Sequence, residues 1–339
     1  MPSMKKVLCF GEILLRLSPD TAGNWLKAQQ MPAFLGGAEL NVAHALARWD
    51  IDVAYSSALP DNYMSKSIIR ELTAKGIDMS RMQQCGKRIG IYYLAQGTDL
   101  KNAEVIYDRA HSSTADLQPG QINWNEVLKD VSWLHFTAIT PAIDKNLVAV
   151  CREALEAASK KNITISVDLN YRSKLWQWGR QPHEVMPELA QFCYVVMGNI
   201  WAAEKMLGIK IAEGFTTEKN ECIEQAARTS QEIIKRFPKC KQVANTFRFD
   251  REKSLDYYAT LYTGGKLYVS GMHNAHSIID KVGSGDCFMA ALIYGNIHAL
   301  PEQGLIDFAA AAAVDKMFVE GDATTSGVEK IMDRVVTPH

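Results

Sequence analysis

Short apolar runs rich in β-branched residues alternate along the chain with longer segments of helical spacing, and this alternation strongly constrains the fold. Parallel strands are joined by helical crossovers and are buried on both faces. We therefore predict an α/β protein: a three-layer α/β/α body with a mostly parallel sheet. The predicted strands are residues 6–10, 53–58, 133–137, 164–168 and 194–197. The predicted helices are residues 39–48, 66–74, 145–159 and 222–236.

Two stretches, about 12–35 and 88–111, break the alternation. Within the second, 90–95 and 103–108 have the composition of paired strands around the turn-like residues 97–99. Two interpretations remain open: a small β-sheet lid on the larger body, or an ordinary hairpin at the sheet edge. We find no internal repeat and no linker, so we expect a single domain over residues 1–339.

Charge and cysteine usage exclude several classes of protein. The 37 basic and 38 acidic residues leave a net charge of -1 without a basic stripe, so we expect no nucleic-acid partner. The seven cysteines are scattered and contain no Cys-x-x-Cys pair, which indicates reduced thiols rather than disulfides or a zinc site. The N-terminal apolar run ends early and is interpreted as a strand rather than a signal peptide. We expect a cytoplasmic protein that does not associate with membranes.

The run 280–286, Asp-Lys-Val-Gly-Ser-Gly-Asp, precedes an apolar segment of helical composition. Gly283, Ser284 and Gly285 permit a tight turn whose N–H groups point one way at a helix N-terminus, which is a site for an anion. Asp286 would then lie in the first helical turn, where it could accept the proton of a substrate hydroxyl. The alternative is a plain loop capped by an aspartate.

A second glycine turn opens the helix predicted at 39–48. Gly36 and Gly37 let a ligand approach the backbone, and Asn41 lies about one helical turn further on, able to face the same space. The alternative is simple N-terminal capping, with Glu39 favoured by the helix dipole.

Polar residues follow the strand predicted at 164–168. Asp168, Asn170 and Arg172 stand at its carboxyl end, where open α/β sheets bind ligands. Arg172 could pair with a carboxylate or phosphate, and Arg109 on the predicted lid could supply a second positive contact. Taken singly, each arginine is more typical of solvated surface; together they describe a site for an acidic, hydroxylated substrate.

Other catalytic signatures are absent from the sequence. It contains no Gly-x4-Gly-Lys-Ser/Thr loop, no His-Glu-x-x-His, no Gly-x-Ser-x-Gly and no protein-kinase motif set. Its eight histidines lack the spacing of metal ligands.

The two glycine motifs, in this order and separation, resemble those of the ribokinase-like, or phosphofructokinase-B, family of sugar kinases over nearly the whole chain. The segments 36–39, 168–176 and 321–322 are most similar to the 2-keto-3-deoxygluconate kinase branch. The resemblance implies a kinase that uses ATP and Mg²⁺ to phosphorylate the terminal (C6) hydroxyl of this sugar acid. It also implies a homodimer or higher homo-oligomer formed through the lid.

The resemblance further implies roles for individual residues. Asp286 would be the catalytic base, and Gly283, Ser284 and Gly285 the anion hole. The sugar acid would contact Gly37, Ala38, Glu39, Asn41, Tyr92, Tyr107, Arg109, Arg172, Asp286 and Asp322. The nucleotide would lie near Asn170, Asn199, Thr246, Arg248, Gly283 and Gly285, with the alanine-rich segment 308–313 leaving room for adenine.

Two positions depart from the family pattern. Ala202 stands where the Asn-x-x-Glu motif has the glutamate that organises magnesium, so no metal ligand is assigned. Residues 245–248, Asn-Thr-Phe-Arg, replace the usual Lys-x-Gly stretch beside the nucleotide. These departures leave open a catalytically silent sugar-acid sensor. A second alternative is a kinase of a neutral sugar such as fructose, which Arg109 and Arg172 oppose. Because a helix N-terminus favours a carboxylate, we expect Asp286 to be ionised at neutral pH.

Overall fold

The computed structural model describes residues 6–20, 22–95, 105–252 and 254–336. The strands are β1 (Lys6–Phe10), β2 (Leu14–Leu17), β3 (Ala33–Gly36), β4 (Val53–Ser56), β5 (Ala58–Leu59), β6 (Ile77–Asp78), β7 (Gln83–Gln84), β8 (Gly90–Tyr93), β9 (Ile106–Asp108), β10 (Val131–Thr137), β11 (Thr164–Asp168), β12 (Val195–Gly198), β13 (Gln242–Asp250), β14 (Ser254–Thr263), β15 (Lys266–Val269) and β16 (His273–His276).

The helices follow in the same chain order. They are α1 (Asn24–Ala28), α2 (Ala38–Arg48), α3 (Tyr63–Ala74), α4 (Trp124–Val127), α5 (Thr140–Ile143), α6 (Lys145–Lys160), α7 (Pro182–Ala190), α8 (Ile200–Leu207), α9 (Lys219–Arg236), α10 (Ser284–Ile297), α11 (Glu302–Lys316) and α12 (Val328–Met332). In the described part of the chain, no helix combines the length and apolarity needed to cross a membrane.

The large sheet has the order β15-β14-β13-β12-β11-β10-β1-β4-β6, with β16 paired to β14. From β13 to β6 every neighbouring pair is parallel, and β14, β15 and β16 extend the sheet with antiparallel pairs. The prediction of an α/β protein with a mostly parallel sheet is confirmed. The predicted strand 53–58 is divided: β4 belongs to the large sheet, whereas β5 pairs with β7 in a separate two-stranded sheet.

Helices cover both faces of the large sheet because its strands alternate their side chains between two apolar clusters. Val7 and Cys9 of β1 join the cluster beneath α2, α10 and α11, whereas Leu8 and Phe10 join the cluster beneath α6 and α7. This arrangement gives the three layers and directs the carboxyl ends of the parallel strands to one edge.

A second, smaller sheet has the order β3-β2-β8-β9. It is built from the two stretches that interrupt the helix–strand alternation, 12–35 and 88–111. The predicted strand 90–95 is β8, and the predicted strand 103–108 is β9 from residue 106. The predicted turn at 97–99 and residues 103–104 lie outside the described residues.

Candidate active site

A cavity of about 600 Å³ lies at the carboxyl ends of the parallel strands, between the large and small sheets. Asp168 enters it from the end of β11 and Gly198 from the end of β12, while Tyr92 and Tyr107 enter from the small sheet. Apart from Glu39, every site residue predicted from the sequence lines this cavity: Gly37, Ala38, Asn41, Tyr92, Tyr107, Arg109, Asn170, Arg172, Asn199, Thr246, Arg248, Gly283, Ser284, Gly285, Asp286 and Asp322.

Gly283 forms the turn that begins α10. Its φ of 79° lies in the left-handed region, and a Cβ there would overlap the carbonyl oxygen of Asp322, so a side chain is excluded on both grounds. Cys287 N–H donates to the Gly283 carbonyl, which places Gly285 and Asp286 in the first turn, where N–H groups have no intrahelical acceptor. These N–H groups stand at the cavity wall, as binding of an anion requires.

Asp286 is held by a contact between two helices. Asn41 Nδ2 on α2 donates a 2.7 Å hydrogen bond to Asp286 Oδ2. Burial raises the pKa of Asp286 from 3.8 to about 8, and the Asn41 bond opposes the rise without cancelling it. The expectation of an ionised Asp286 at neutral pH is wrong, because removal of the carboxylate from water outweighs the helix N-terminus.

Asp168 is a second carboxyl group of the cavity, and it was assigned no role in the sequence motif that contains it. Its Oδ1 accepts from Asn170 N–H at 3.0 Å, which turns the chain after β11 and leaves Asn170 at φ 24°. Burial raises the pKa of Asp168 to about 6, and its charge contributes to the raised pKa of Asp286. Arg172 lowers the pKa of both carboxyls. The position of Asp168 at a strand's carboxyl end had indicated a site residue from the sequence, but not its effect on Asp286.

The two predicted cationic contacts differ in their partners. Arg109 is buried and forms an ion pair with Glu12, and its Nε donates at 2.7 Å. Arg172 donates to the backbone oxygen of Tyr171 and, among the described residues, has no carboxylate within ion-pair distance. The charge of Arg172 is therefore available to a ligand, whereas that of Arg109 is already balanced.

Glu39 points away from the cavity. Its Oε1 accepts from the N–H and hydroxyl of Thr137, at 3.0 and 2.6 Å, and its carboxylate packs against Gly11. Glu39 thus ties α2 to the end of β10 and leaves Gly37 and Asn41 at the cavity wall.

A buried ionic cluster supports Asp322. Arg16 of the small sheet makes ion pairs with Asp280 at 2.7 Å and Asp322 at 2.9 Å, and Tyr92 OH donates to Asp322 at 2.6 Å. The cluster connects the small sheet to two residues beside the turn at Gly283, which we call the anion turn. These are Asp280, which precedes the turn, and Asp322, whose backbone oxygen lies against Gly283. Its members Arg16 and Asp280 had no role in the sequence prediction.

The nucleotide side predicted from the sequence is partly engaged in local structure. Asn199 Oδ1 accepts from Ala202 N–H at 2.8 Å and caps α8, while Thr246 Oγ1 donates to Gly198 O at 3.3 Å. Lys205, one turn beyond Ala202, also lines the cavity. The alanine segment 309–313 is fully buried and lies outside the cavity lining, where its small side chains let α10 and α11 pack closely.

A cavity with a glycine turn at a helix N-terminus, a buried carboxyl group beside it and an available guanidinium defines an enzyme that transfers a phosphoryl group to a small molecule. The family model "pfkB family carbohydrate kinase" matches residues 4–326. The chain therefore belongs to the pfkB family of carbohydrate kinases.

Individual relatives are similar over almost their whole length. A 2-dehydro-3-deoxygalactonokinase of Haloferax volcanii is 27% identical over 96% of both chains. The crystal structure of a 2-dehydro-3-deoxygluconokinase from Thermotoga maritima is 32% identical, covers 97% of this chain and 98% of its own, and has a TM-score of 0.88. A putative ribokinase II from E. coli in complex with ATP and Mg²⁺ is 16% identical with a TM-score of 0.72, over 98% and 99% of the two chains, and shares the fold.

Proposed function

We propose that the protein transfers the γ-phosphoryl group of ATP to the terminal (C6) hydroxyl of 2-keto-3-deoxygluconate, also called 2-dehydro-3-deoxygluconate, giving the 6-phosphate and ADP. One observation carries the proposal. The same cavity holds Asp286 beside the Gly283 turn and an Arg172 guanidinium without a carboxylate partner among the described residues. A base suits the hydroxyl end of a sugar acid, and a free guanidinium suits its carboxylate.

The transfer uses this chain's residues in three ways. Asp286 Oδ takes the proton of the hydroxyl as its oxygen bonds to the γ-phosphorus and the bond from that phosphorus to the ADP oxygen breaks. The N–H groups at the start of α10 stabilise the charge of the moving phosphoryl group. Asn41 keeps Asp286 oriented, and its buried Oδ1, which has no partner in the described structure, is free to accept from a sugar hydroxyl.

The donor set is compatible with a magnesium ion held largely by the nucleotide. No group of three metal-binding side chains occurs among the described residues. Asp168 lines the cavity and makes no ion pair with a described residue, and Mg²⁺ typically binds one or two carboxylates together with phosphates. The ion would neutralise phosphate charge; the nearby Ala202 cannot contribute a ligand.

The small sheet is proposed to act as a lid. Tyr92, Tyr107 and Leu14 face the cavity, so closure of this sheet would exclude water from the transfer site. The opposite face, which we call the outer face, is apolar and partly exposed, and we propose that it pairs with a second copy in a homodimer. Its residues are Leu15, Leu17, Leu35, Ile91, Tyr93 and Ile106.

Two other acceptors are tested alongside the sugar acid. The second candidate acceptor is the C4 epimer, 2-keto-3-deoxygalactonate, because the Haloferax relative is named a 2-dehydro-3-deoxygalactonokinase. A neutral sugar such as fructose is the alternative that Arg172 opposes, and a silent sensor would release no ADP with any of them. We also propose that the reaction takes place in the cytoplasm.

The experiment is ADP release with each of the three acceptors, for the wild type, Arg172→Ala and Arg152→Ala. Arg152 is a matched control because it lies on the surface, paired with Glu188. We expect turnover of a keto-deoxy sugar acid, and Arg172→Ala to raise its KM by ~10–100-fold while changing KM for fructose little. Equal effects on acid and neutral acceptors would contradict the carboxylate contact, and the absence of ADP release would contradict the proposed reaction.

A further inference from the structure

Lys316, the last residue of α11, is fully buried beneath the anion turn. Its Nζ donates to two backbone carbonyl oxygens, Val319 O at 3.1 Å and Asp280 O at 3.4 Å. Its Cε would lie 3.4 Å from a Cβ built on Gly283, so the side chain passes directly below the glycine that forms the turn. A single ammonium group therefore joins the segment that begins the anion turn to the segment that leads to Asp322.

The charges around this ammonium balance. The buried ionic cluster contains two cations, Arg16 and Lys316, and two carboxylates, Asp280 and Asp322. Burial lowers the pKa of Lys316, and the charges of Asp280 and Asp322 oppose that change. The donation of Nζ to two carbonyls fits an ammonium, which has donors only.

Residues 308–314 of α11 are apolar and buried, but Lys316 itself lies among Asp280, Asp322 and two carbonyl oxygens. Removing its charge would leave these carboxylates uncompensated, so a loss of stability alone does not distinguish a structural role from a positioning role. The two segments that Lys316 joins both contribute to the cavity, through Gly283 and through Asp322. Lys316 differs from an ordinary buried ion in its position, because its charge lies directly behind the turn proposed to bind the phosphoryl group.

We propose that Lys316 is a positioning residue that acts as a tethered monovalent cation: its ammonium holds the carbonyls of Asp280 and Val319, fixes the anion turn, and makes phosphoryl transfer independent of a dissociable cation such as K⁺. Backbone carbonyl oxygens are the ligands that K⁺ accepts in place of water. A covalently held ammonium at these oxygens removes the need to recruit an ion from solution. The proposal rests on phosphoryl transfer in this cavity and not on which acceptor is used.

The first test uses the wild type in potassium, ammonium, sodium and choline chlorides at constant ionic strength. We expect rates that agree within ~2-fold, because these salts screen charges to nearly the same extent at equal ionic strength. Activation of more than ~5-fold by potassium or ammonium over choline would show a recruited cation and overturn the proposal. This test needs no variant to fold.

The second test compares Lys316→Ala, which opens a space, with Lys316→Met, which fills it without charge. We expect kcat to fall ~10–100-fold in both, with a smaller change in KM for the acceptor. Ammonium or potassium chloride should restore at least ~5-fold to the alanine variant and nothing to the methionine variant. Unchanged kcat in both, or equal responses of both to ammonium, would overturn the proposal.

Thermal unfolding without substrates separates this inference from the choice of reaction. Ammonium chloride, compared with choline chloride, should raise the Tm of Lys316→Ala by about 1–3 °C and leave the wild type unchanged. The matched control is Lys6→Ala, which removes a lysine paired with Asp78 at the opposite end of β1 from the cavity. An equal Tm response in both alanine variants would overturn the tethered-cation role, whatever acceptor the enzyme uses.

Discussion

Asn41 Nδ2 and Asp286 Oδ2 lie 2.7 Å apart, although 245 positions separate the residues in the sequence. The contact joins the first turns of α2 and α10, the two helices that begin at glycine turns. It fixes the carboxyl group at the cavity wall and stabilises the form that accepts a proton.

The pH dependence of kcat/KM should follow Asp286. With the pKa of its carboxyl raised to about 8, the deprotonated base becomes available as pH increases, so the rate should rise and level off above this value. Asn41→Ala removes a hydrogen bond to the charged form and should move the midpoint to higher pH by ~0.5–1 unit. The midpoint is measured independently of the plateau, because Asn41 also faces the acceptor.

Asp168→Asn should shift the midpoint of the pH dependence of kcat/KM in the opposite direction to Asn41→Ala. The charge of Asp168 raises the pKa of Asp286, so its removal should move the same midpoint to lower pH. Shifts of both variants in one direction, or no shift in either, would contradict the assignment of the profile to Asp286.

Asp286→Asn should stabilise the folded protein at neutral pH. The folded state keeps the Asp286 proton up to about pH 8, whereas the unfolded chain loses it above about 3.8, so rising pH between these values favours unfolding of the wild type. The free energy of unfolding of the variant should exceed that of the wild type by roughly 1–3 kcal/mol at pH 7.5.

The control is the same pair of urea titrations at pH 4, where the carboxyl group is protonated in the folded state and partly protonated in the unfolded state. The difference between the variant and the wild type should be much smaller there. A difference that is constant with pH would indicate a packing effect rather than the cost of burying a charge.

The proposed dimer predicts a specific response to charge on the outer face. Ile106 is 61% exposed at the edge of the small sheet, so Ile106→Glu is tolerated in a monomer but disfavours an apolar interface. Light scattering should show a dimer for the wild type and a monomer for this variant. Leu26 on α1 is similarly exposed, at 65%, and the variant Leu26→Glu should remain dimeric. A monomeric wild type, or dissociation by both substitutions, would contradict the interface.

Much of the fold could be predicted from the sequence, because buried parallel strands are short apolar runs that alternate with amphipathic helices. The strands β13 to β16, which pair with one another in antiparallel fashion, were not predicted. Polar and charged residues interrupt their apolar residues, as Asn245, Thr246 and Arg248 do in β13. The break between β4 and β5 at Ser57 also depends on tertiary structure, as Ser57 bonds to Thr114.

The sequence predicted which residues line the cavity better than it predicted what each side chain does there. Glycine turns and strand ends place residues at one edge of the sheet, but side-chain direction depends on distant partners. Glu39 turns toward Thr137, and Arg109 is neutralised by Glu12, a residue 97 positions away. The raised pKa of Asp286 likewise comes from burial by the whole cavity wall, which a helix-terminus argument does not contain.

The most direct test of the account is steady-state ADP release at pH 8.5 by the wild type and by Asp286→Asn with 2-keto-3-deoxygluconate. Asparagine keeps the shape and the contact with Asn41 but cannot take the hydroxyl proton. We expect kcat to fall by at least ~10²-fold while KM for the sugar acid changes less than ~3-fold. A variant that turns over at nearly the wild-type rate would contradict the assignment of Asp286 as the base.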